Sequence, residues 1–356
     1  MVRVLQLITV PLTTNGLALY PIRMAERMDS RVQVDFLACH ADPELRARIK
    51  KMGARLYLAP SRLRNPIAYM RFVAQTIRQN GYSVVHAHGN SCTLALDLIA
   101  ARRGGAKVRV AHSHNTFCRF RMLHSLLRPA FNRAYTHALA CGDEAGKWLF
   151  RNRPFEILPN AIDARAFAPN EETRARVRRE LNAEGRQILL HVGNFSEAKN
   201  PLFFIDLMQR LSPSCALWMV GDGPLRADTE RLAREKGLPI AFTGVRSDIP
   251  ALMQGADAFL LPSLYEGLPT VALEAQAAGL PTLLSESIAR RTAFSKSAQF
   301  LPLNADLWAA RIQALPKFDR NALAKEAEAA LSANGYDLTA AAQALEERYL
   351  NWNGAR

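Results

Sequence analysis

At 356 residues with 49% of them apolar, the chain is long enough for two hydrophobic cores, and no run approaches the roughly 18 apolar residues of a membrane-crossing helix. The net charge of +14 is lopsided: residues 1–165 hold 25 Lys and Arg against 10 Asp and Glu, residues 166–356 hold 21 against 22. Five scattered cysteines without a C-x-x-C pair speak against a disulfide scaffold and fit buried thiols in a reducing cytoplasm. The basic first half is therefore expected to face something anionic: a membrane surface, a lipid-phosphate acceptor or nucleic acid.

The opening VRVLQLI predicts a strand over residues 2–10, too short for a signal peptide and followed by nothing like a cleavage site. The turn PLTTNG leads to a helix over 17–28, a β–turn–α start of Rossmann type without G-x-G-x-x-G. Gly16 either lets a ligand approach the backbone or merely turns the chain. Strands over Val32–Ala38 and 54–59 and helices over 44–52 and 67–80 follow. Strands at Val84–His88 and 108–114 both end in His-x-His, and alternation puts each pair on one face of a sheet. Strand carboxyl ends are where open α/β sheets hold ligands. Four imidazoles would suit zinc, but no carboxylate cluster or histidine-rich helix completes a catalytic metal site. Structural or hydrogen-bonding histidines are preferred, and no metal is assigned. RFRMLHSLLRPAFNRAY, residues 119–135, reads equally as a helix lying on anionic headgroups or as an ordinary helix with arginines on its wet side, interrupted by Pro129. A strand over 138–141 and a helix over Asp143–Phe150 complete this half.

After charged helical residues 171–184, the pattern restarts with a strand at Gln187–Val192. It runs into GNFSEAKNP, where Lys199 stands beside a predicted helix start. Strands over 216–220 and 240–243 enter the turns GDGP (Gly221, Gly223) and GVRSD (Val245, Arg246), whose glycines and backbone suit close approach to a ligand. In FLLPSLYEGLPTVALEAQAAGLP, residues 259–281, a buried strand end, a tight turn and a helix opened by Pro269 together make an anion site. The first-turn N–H groups and the positive dipole end both favour phosphate. Glu266 lies in that turn and Glu274 inside the helix. They read either as ligand-gripping carboxylates or as a helix-start charge and a solvated face residue. A strand over 281–285, helices after residue 304, and terminal helices over 321–332 and 336–352 close the chain.

The last of these motifs resembles the signature of glycosyltransferase family 4, the retaining nucleotide-sugar transferases of GT-B fold. Pro262, Ser263, Glu266, Gly267, Pro269, Glu274, Ala275, Gly279 and Pro281 stand in its frame, two glutamates with seven residues between them. The likeness extends over nearly the whole chain. EILPNAID is similar to the family's crossing into the second domain, with Ala161 for a glycine. GNFSEAK is similar to its diphosphate clamp, with Lys199 kept and Asn194 in place of the arginine. HSHN, VGNF and KN are most similar to members that build bacterial exopolysaccharide or capsule.

The resemblance implies two Rossmann-like domains facing a central cleft. Residues 1–163 would bind acceptor, 164–335 would bind the nucleotide sugar, and 336–356 would cross back to the first domain. It implies retaining transfer of a sugar from a nucleoside diphosphate, UDP expected, to a hydroxyl of a lipid-linked glycan, with neither cofactor nor metal. By the same likeness Lys199 grips the diphosphate together with the backbone of Gly267, Leu268, Pro269 and Thr270. Glu266 holds donor-sugar hydroxyls, Glu274 the ribose, and Gly221, Gly223, Val245 and Arg246 wall the nucleoside. His114 lies beside sugar and acceptor, and Gly16 and Asn194 contribute to donor binding. No two aspartates are separated by one residue, so a D-x-D metal clamp is missing. The expected place is the cytoplasm, with docking on the inner membrane face. A GT-B epimerase or sugar phosphorylase is the alternative, and a nucleic-acid-binding protein ranks last, because the positive charge lacks an aromatic-studded motif.

Overall fold

Strand β1 (Val2–Ile8) is buried at every position but Arg3, and its alternate side chains enter two different cores: Val2, Val4 and Ile8 on one face, Leu5 and Leu7 on the other. Near-continuous apolar strands of this kind belong to parallel sheets covered on both faces. The computed structural model describes residues 1–13, 16–116, 118, 120–266 and 268–354, with only the backbone of Gly16 and Leu17. The chain divides into two compact units, Met1–Ala161 with Leu338–Arg356, and Ile162–Asp337.

In the first unit, β1 is followed by β2 (Val32–Ala38), β3 (Leu56–Leu58), β4 (Val84–His88), β5 (Val108–Ser113), β6 (His137–Ala140) and β7 (Glu156–Ile157), paired in the order β3-β2-β1-β4-β5-β6-β7. All of these pairings are parallel. The chain starts mid-sheet, builds outward through β2 and β3, then returns to lay β4 beside β1, so the strand order reverses between β1 and β4. The terminal helix Leu338–Gly354 packs Leu338, Ala341, Ala342, Leu345 and Tyr349 into the core over β1 and β2.

The helix Arg121–Ala134 continues through Pro129 instead of breaking there. Proline removes one i→i−4 donor, and the carbonyl so deprived is that of exposed Ser125, which water can satisfy.

The second unit holds β8 (Gln187–Val192), β9 (Cys215–Val220), β10 (Ile240–Gly244), β11 (Ala258–Leu261), β12 (Thr282–Ser285) and β13 (Ala298–Leu301), in the order β10-β9-β8-β11-β12-β13. These pairings are parallel too. Here the order reverses between β8 and β11, and two of the motifs singled out in the sequence follow those two strands. The expected helix at Pro201 is preceded by a 3-10 turn, Glu197–Lys199, closed by Asn200 in the left-handed conformation, and the helix itself begins at Phe203. Half-buried Arg320 donates to the carbonyls of Met253, Gln254, Ala256 and Ala278, satisfying the last turns of the helices Ile249–Gly255 and Thr270–Ala277.

Candidate functional site

In the second unit the loops after β8 and β11 are tied together. Leu264 N–H donates to the Ala198 carbonyl at 2.8 Å, joining the 3-10 turn to the loop before the helix Thr270–Ala277. Ser285 Oγ donates to the Ser263 carbonyl, and Glu266 forms a parallel bridge with Ile288, so β12 and the residues after it brace the loop from the other side. Within this frame Lys199 Nζ contacts Glu266 Oε1, and Ser263 Oγ donates to the same oxygen at 3.0 Å. Both charged side chains are 17% exposed, an ion pair half sheltered at the reversal of strand order.

The Lys199 stem rests on Gly193, where a Cβ would stand 3.3 Å from Lys199 Cδ and 3.2 Å from His191 Nε2. His191 is buried beneath them and donates Nδ1–H to the Leu260 carbonyl at 3.0 Å, which leaves Nε2 as the unprotonated nitrogen. Burial, opposed by that hydrogen bond and aided by nearby Lys199, pushes its pKa down to about 4. Gly193 opens the GNFSEAK motif but was given no role of its own, and His191 did not stand out in the sequence. An isolated histidine in an apolar strand carries no local signal.

Gly221 and Gly223 owe their identity to the protein's own backbone. At Gly221 (φ 132°) a Cβ would come 2.0 Å from the Gly193 carbonyl oxygen, and at Gly223 (φ 158°) one would come 2.7 Å from Phe195 N. The two loops zip together through Phe195 N–H to Asp222 O at 3.0 Å and Leu225 N–H to Phe195 O at 2.9 Å. Gly221 N–H reaches Gly244 O at 2.8 Å and brings in the third loop. Val245 is exposed, while the Arg246 guanidinium is held by Asp248 at 2.7 Å and Glu180 at 3.1 Å. Its charge is thus taken up by two carboxylates of the chain itself. Asn194 is exposed, its amide oxygen accepting from Ser196 Oγ at 3.1 Å.

Pro269 caps the helix Thr270–Ala277, with Leu268 and Thr270 half-buried beside it; Gly267 lies outside the described residues. Glu274 is 7% exposed, so it is not the solvated face residue of the bland reading.

In the first unit, the alternation read from the sequence places Gln6, His86, His88 and His112 on one sheet face, with Gln6 opposite His86 and His88 opposite His112 in register. His114 follows β5. The rings form a block: His86 stacks on His88 at 4.3 Å between centroids and 18° between planes, and His112 lies on His114 at 4.0 Å. Tyr20 meets His112 and His114 edge-on. Burial, reinforced by repulsion among the imidazoles, pushes His86, His88 and His112 well below the usual histidine range, and burial pushes His114 down to about 4 despite its contact with Asn160. All four are neutral near pH 7.

Nitrogens of His86, His88 and His112 lie within 4.8 Å of one another. An ion must lie in the plane of each imidazole it binds, and two stacked rings have no common point in both planes at the 2.0–2.1 Å a zinc–nitrogen bond requires. Apart from His112 Nε2, which has no hydrogen-bond partner among the described residues, the nitrogens instead hydrogen-bond to one another and to His114, Gln6 and Tyr349. Gln6 and Tyr349 were not legible as site residues. Gly16 begins the helix Gly16–Ala25 after β1, and its surroundings are outside the described structure.

The comparisons agree with this architecture. The family described as Glycosyl transferases group 1 matches residues 173–315, and Glycosyltransferase Family 4 matches residues 14–166. A protein of Bacillus subtilis (strain 168) named as a glycosyltransferase, EpsF, is 38% identical over 263 residues, covering 68% of each chain. The UDP-Gal:alpha-D-GlcNAc-diphosphoundecaprenol alpha-1,3-galactosyltransferase of Escherichia coli is 27% identical over 210 residues, 52% of this chain and 53% of that one. Among solved structures, Anabaena Alr3699/HepE in complex with UDP-glucose superposes with a TM-score of 0.81 at 18% identity, covering 99% of this chain and 100% of that one.

Proposed function

Because the chain belongs to the family 4 and group 1 glycosyltransferases, we propose that it transfers a sugar from UDP to a hydroxyl of a lipid-linked glycan, with retention, in the synthesis of a bacterial surface polysaccharide. The observation that carries this reading is the Lys199–Glu266 pair at the strand-order reversal of the second unit, beside the start of the helix Thr270–Ala277. Lys199 turns from Glu266 to the donor diphosphate, where it and the backbone amides at Leu268–Thr270 take up the charge that grows on the leaving phosphate. Glu266, released, accepts from hydroxyls of the donor sugar. Glu274 accepts from the ribose, and the loops at Gly221, Gly223, Val245 and Arg246 flank the nucleoside.

In the first unit His114 is the group offered to the sugar and the acceptor hydroxyl, its Nδ1 giving up the Asn160 contact while Nε2 stays on His88. Neutral at working pH, it acts as a hydrogen-bonding group and not as a cation. The anomeric carbon parts from the phosphate oxygen, bonds to the acceptor oxygen on the same face, and the acceptor proton leaves with the phosphate. The UDP and UDP-glucose complexes of HepE support the choice of donor, and the diphosphoundecaprenol named for the E. coli relative supports the acceptor class.

Docking to the anionic cytoplasmic face of a membrane is part of the proposal. It rests on the basic first half and on the helix Arg121–Ala134, which exposes Met122 and Leu126 next to Arg121, with Phe120 exposed just before it. No helix of the described residues is long and apolar enough to cross a membrane.

A thermal-shift panel of nucleoside diphosphates and their sugars tests the donor, since a ligand of the folded state raises Tm. UDP and a UDP-sugar should raise it in the parent protein and far less in Glu274→Ala. Equal shifts in the two proteins, or none from any nucleotide, would sink the assignment. Sedimentation with vesicles tests the docking: preference for anionic over neutral lipid at low salt is expected, and should weaken in Met122→Glu.

A further inference from the structure

Two helices of the first unit leave the carboxyl edge of its sheet with the same outward pattern. Pro66–Asn80 follows β3 and Arg121–Ala134 follows β5; a helix that joins parallel strands starts beyond the carboxyl end of the strand before it. The exposed face of the first carries Ile67, Arg71, Gln75 and Arg78, and that of the second Met122, Leu126, Pro129 and Arg133. At about 100° per residue each set falls within roughly 80° of its first member. In both, the apolar side chains stand at the sheet edge and the face ends on arginine. Leu63, just ahead of the first helix, is 65% exposed, Ile67 64%, Met122 89% and Leu126 75%.

Both helix starts are tied to neighbouring residues of one 3-10 turn, Cys92–Leu94, which follows β4. Arg62, paired with buried Asp97 at 2.6 Å, donates to the Thr93 carbonyl at 2.6 Å and so fixes the loop that carries Leu63. The Cys92 N–H donates to His124 Nδ1 at 3.2 Å and so fixes the first turn of Arg121–Ala134. The two apolar tips are thus held side by side by buried polar contacts. Residues 60–80 and 115–134 contain eight arginines and no Asp, Glu or Lys. Apolar tips among arginines, without a carboxylate in either segment, match the boundary between acyl chains and anionic phosphates, where both kinds of group are satisfied together. Arg71 stands about 6 Å further along its helix than Ile67, close to the 5–10 Å over which interfacial apolar groups sink below the headgroups.

We infer that the first unit docks edge-on to an anionic phospholipid bilayer, with Leu63 and Ile67 forming a second contact beside Phe120, Met122 and Leu126. Arg64, Arg71 and Arg121 then lie at the phosphates, and the carboxyl ends of the strands, with His114 just after β5, face the lipid. The inference deepens the proposed membrane docking and rests on it. A helix lying flat in the interface needs apolar groups along its whole length. Arg121–Ala134 exposes Met122, Leu123 and Leu126 in its first half only, and its second half exposes Pro129 and Arg133. Its start, not its side, is what enters the bilayer.

Cosedimentation with vesicles of phosphatidylglycerol and phosphatidylcholine at about 0.1 M salt tests this. Leu63→Ser/Ile67→Ser removes two apolar tips without changing charge, and should lower the partition coefficient roughly tenfold, as Met122→Ser/Leu126→Ser does. Gln79→Glu adds a negative charge about 18 Å further along the first helix than Ile67, beyond the screening length, and should leave it within about twofold. All of these side chains are exposed, so Tm should hold in each variant; the single substitutions replace a double that unfolds. Partitioning unmoved by Leu63→Ser/Ile67→Ser but weakened by Met122→Ser/Leu126→Ser overturns the inference and leaves docking by the one helix standing. Loss in Gln79→Glu as large as in the tip variants also overturns it, because the helix then lies flat. A parent that dimerises without lipid through these residues overturns it in favour of a second copy as the occupant. A parent with no preference for phosphatidylglycerol overturns the docking and the inference together.

Discussion

Replacing Lys199 by alanine separates what the ion pair does for folding from what the lysine does for the donor. The two side chains are each 17% exposed, between the exposed pairs that contribute about 0.2–1 kcal/mol and the buried ones whose breakage costs about 3–5 kcal/mol. Removing Lys199 should therefore cost roughly 1–2 kcal/mol. At about 2–4 °C per kcal/mol for a unit of this size, Tm falls by some 2–8 °C. Transition-state stabilisation lost with one preorganised donor is larger, a factor of about 10²–10³ in kcat.

Among the described residues, the substitution also leaves Glu266 with only the Ser263 hydroxyl at 3.0 Å, an unneutralised carboxylate near the incoming diphosphate. At an effective dielectric near 20, unit charges about 8 Å apart repel by about 2 kcal/mol, reduced further by solvent. Donor binding should thus fall in Lys199→Ala and recover about tenfold in Lys199→Ala/Glu266→Gln, with kcat still depressed. Calorimetric titration with UDP and initial rates of nucleotide release measure both. Donor affinity and kcat within twofold of the parent in Lys199→Ala, or weaker binding in the double variant than in the single, would refute the reasoning.

Glu274→Ala should weaken UDP binding by about 1.5–3 kcal/mol, the range for hydrogen bonds to a charged group, with little change in kcat at saturating donor; titration calorimetry reads it. Gly221→Ala forces a Cβ to 2.0 Å from the Gly193 oxygen at φ 132°, so the second unit should lose at least about 2 kcal/mol, visible as a lower urea midpoint. His114 and His191, each pushed down to about 4 by burial, are neutral in the folded chain, whereas unfolded histidine takes its proton near 6.5. Between those values the unfolded chain binds more protons, so stability is full above pH 6.5 and falls by about 1.4 kcal/mol per pH unit for each of them as pH drops toward 4. A urea midpoint that stays level from pH 6.5 to 5 would contradict neutral burial.

Local patterns in the chain were sufficient for several of these features. Alternation in VVHAH and VRVAHS set the histidines on one face because a strand's side chains repeat every two residues wherever the strand lies. PSLYEGLPT announced a strand end, a turn and a helix start because proline and glycine restrict the backbone locally. The helix Ala95–Gly104 left no comparable trace: most of its residues are buried, including both ends, only the adjacent Arg102 and Arg103 are exposed, and a helix with so little wet face has no apolar stripe to recognise.

The sequence alone thus determined the type of each turn-bounded segment, the Rossmann-like repetition and the family frame around Glu266 and Glu274, all encoded within a few residues of one another. Only the tertiary structure decided that Lys199 meets Glu266 across 67 residues and that Gln6 meets Tyr349 across 343. Those meetings follow from strand order and from the return of the terminal helix, which depend on how whole elements bury their apolar faces together. No periodicity within either segment records them.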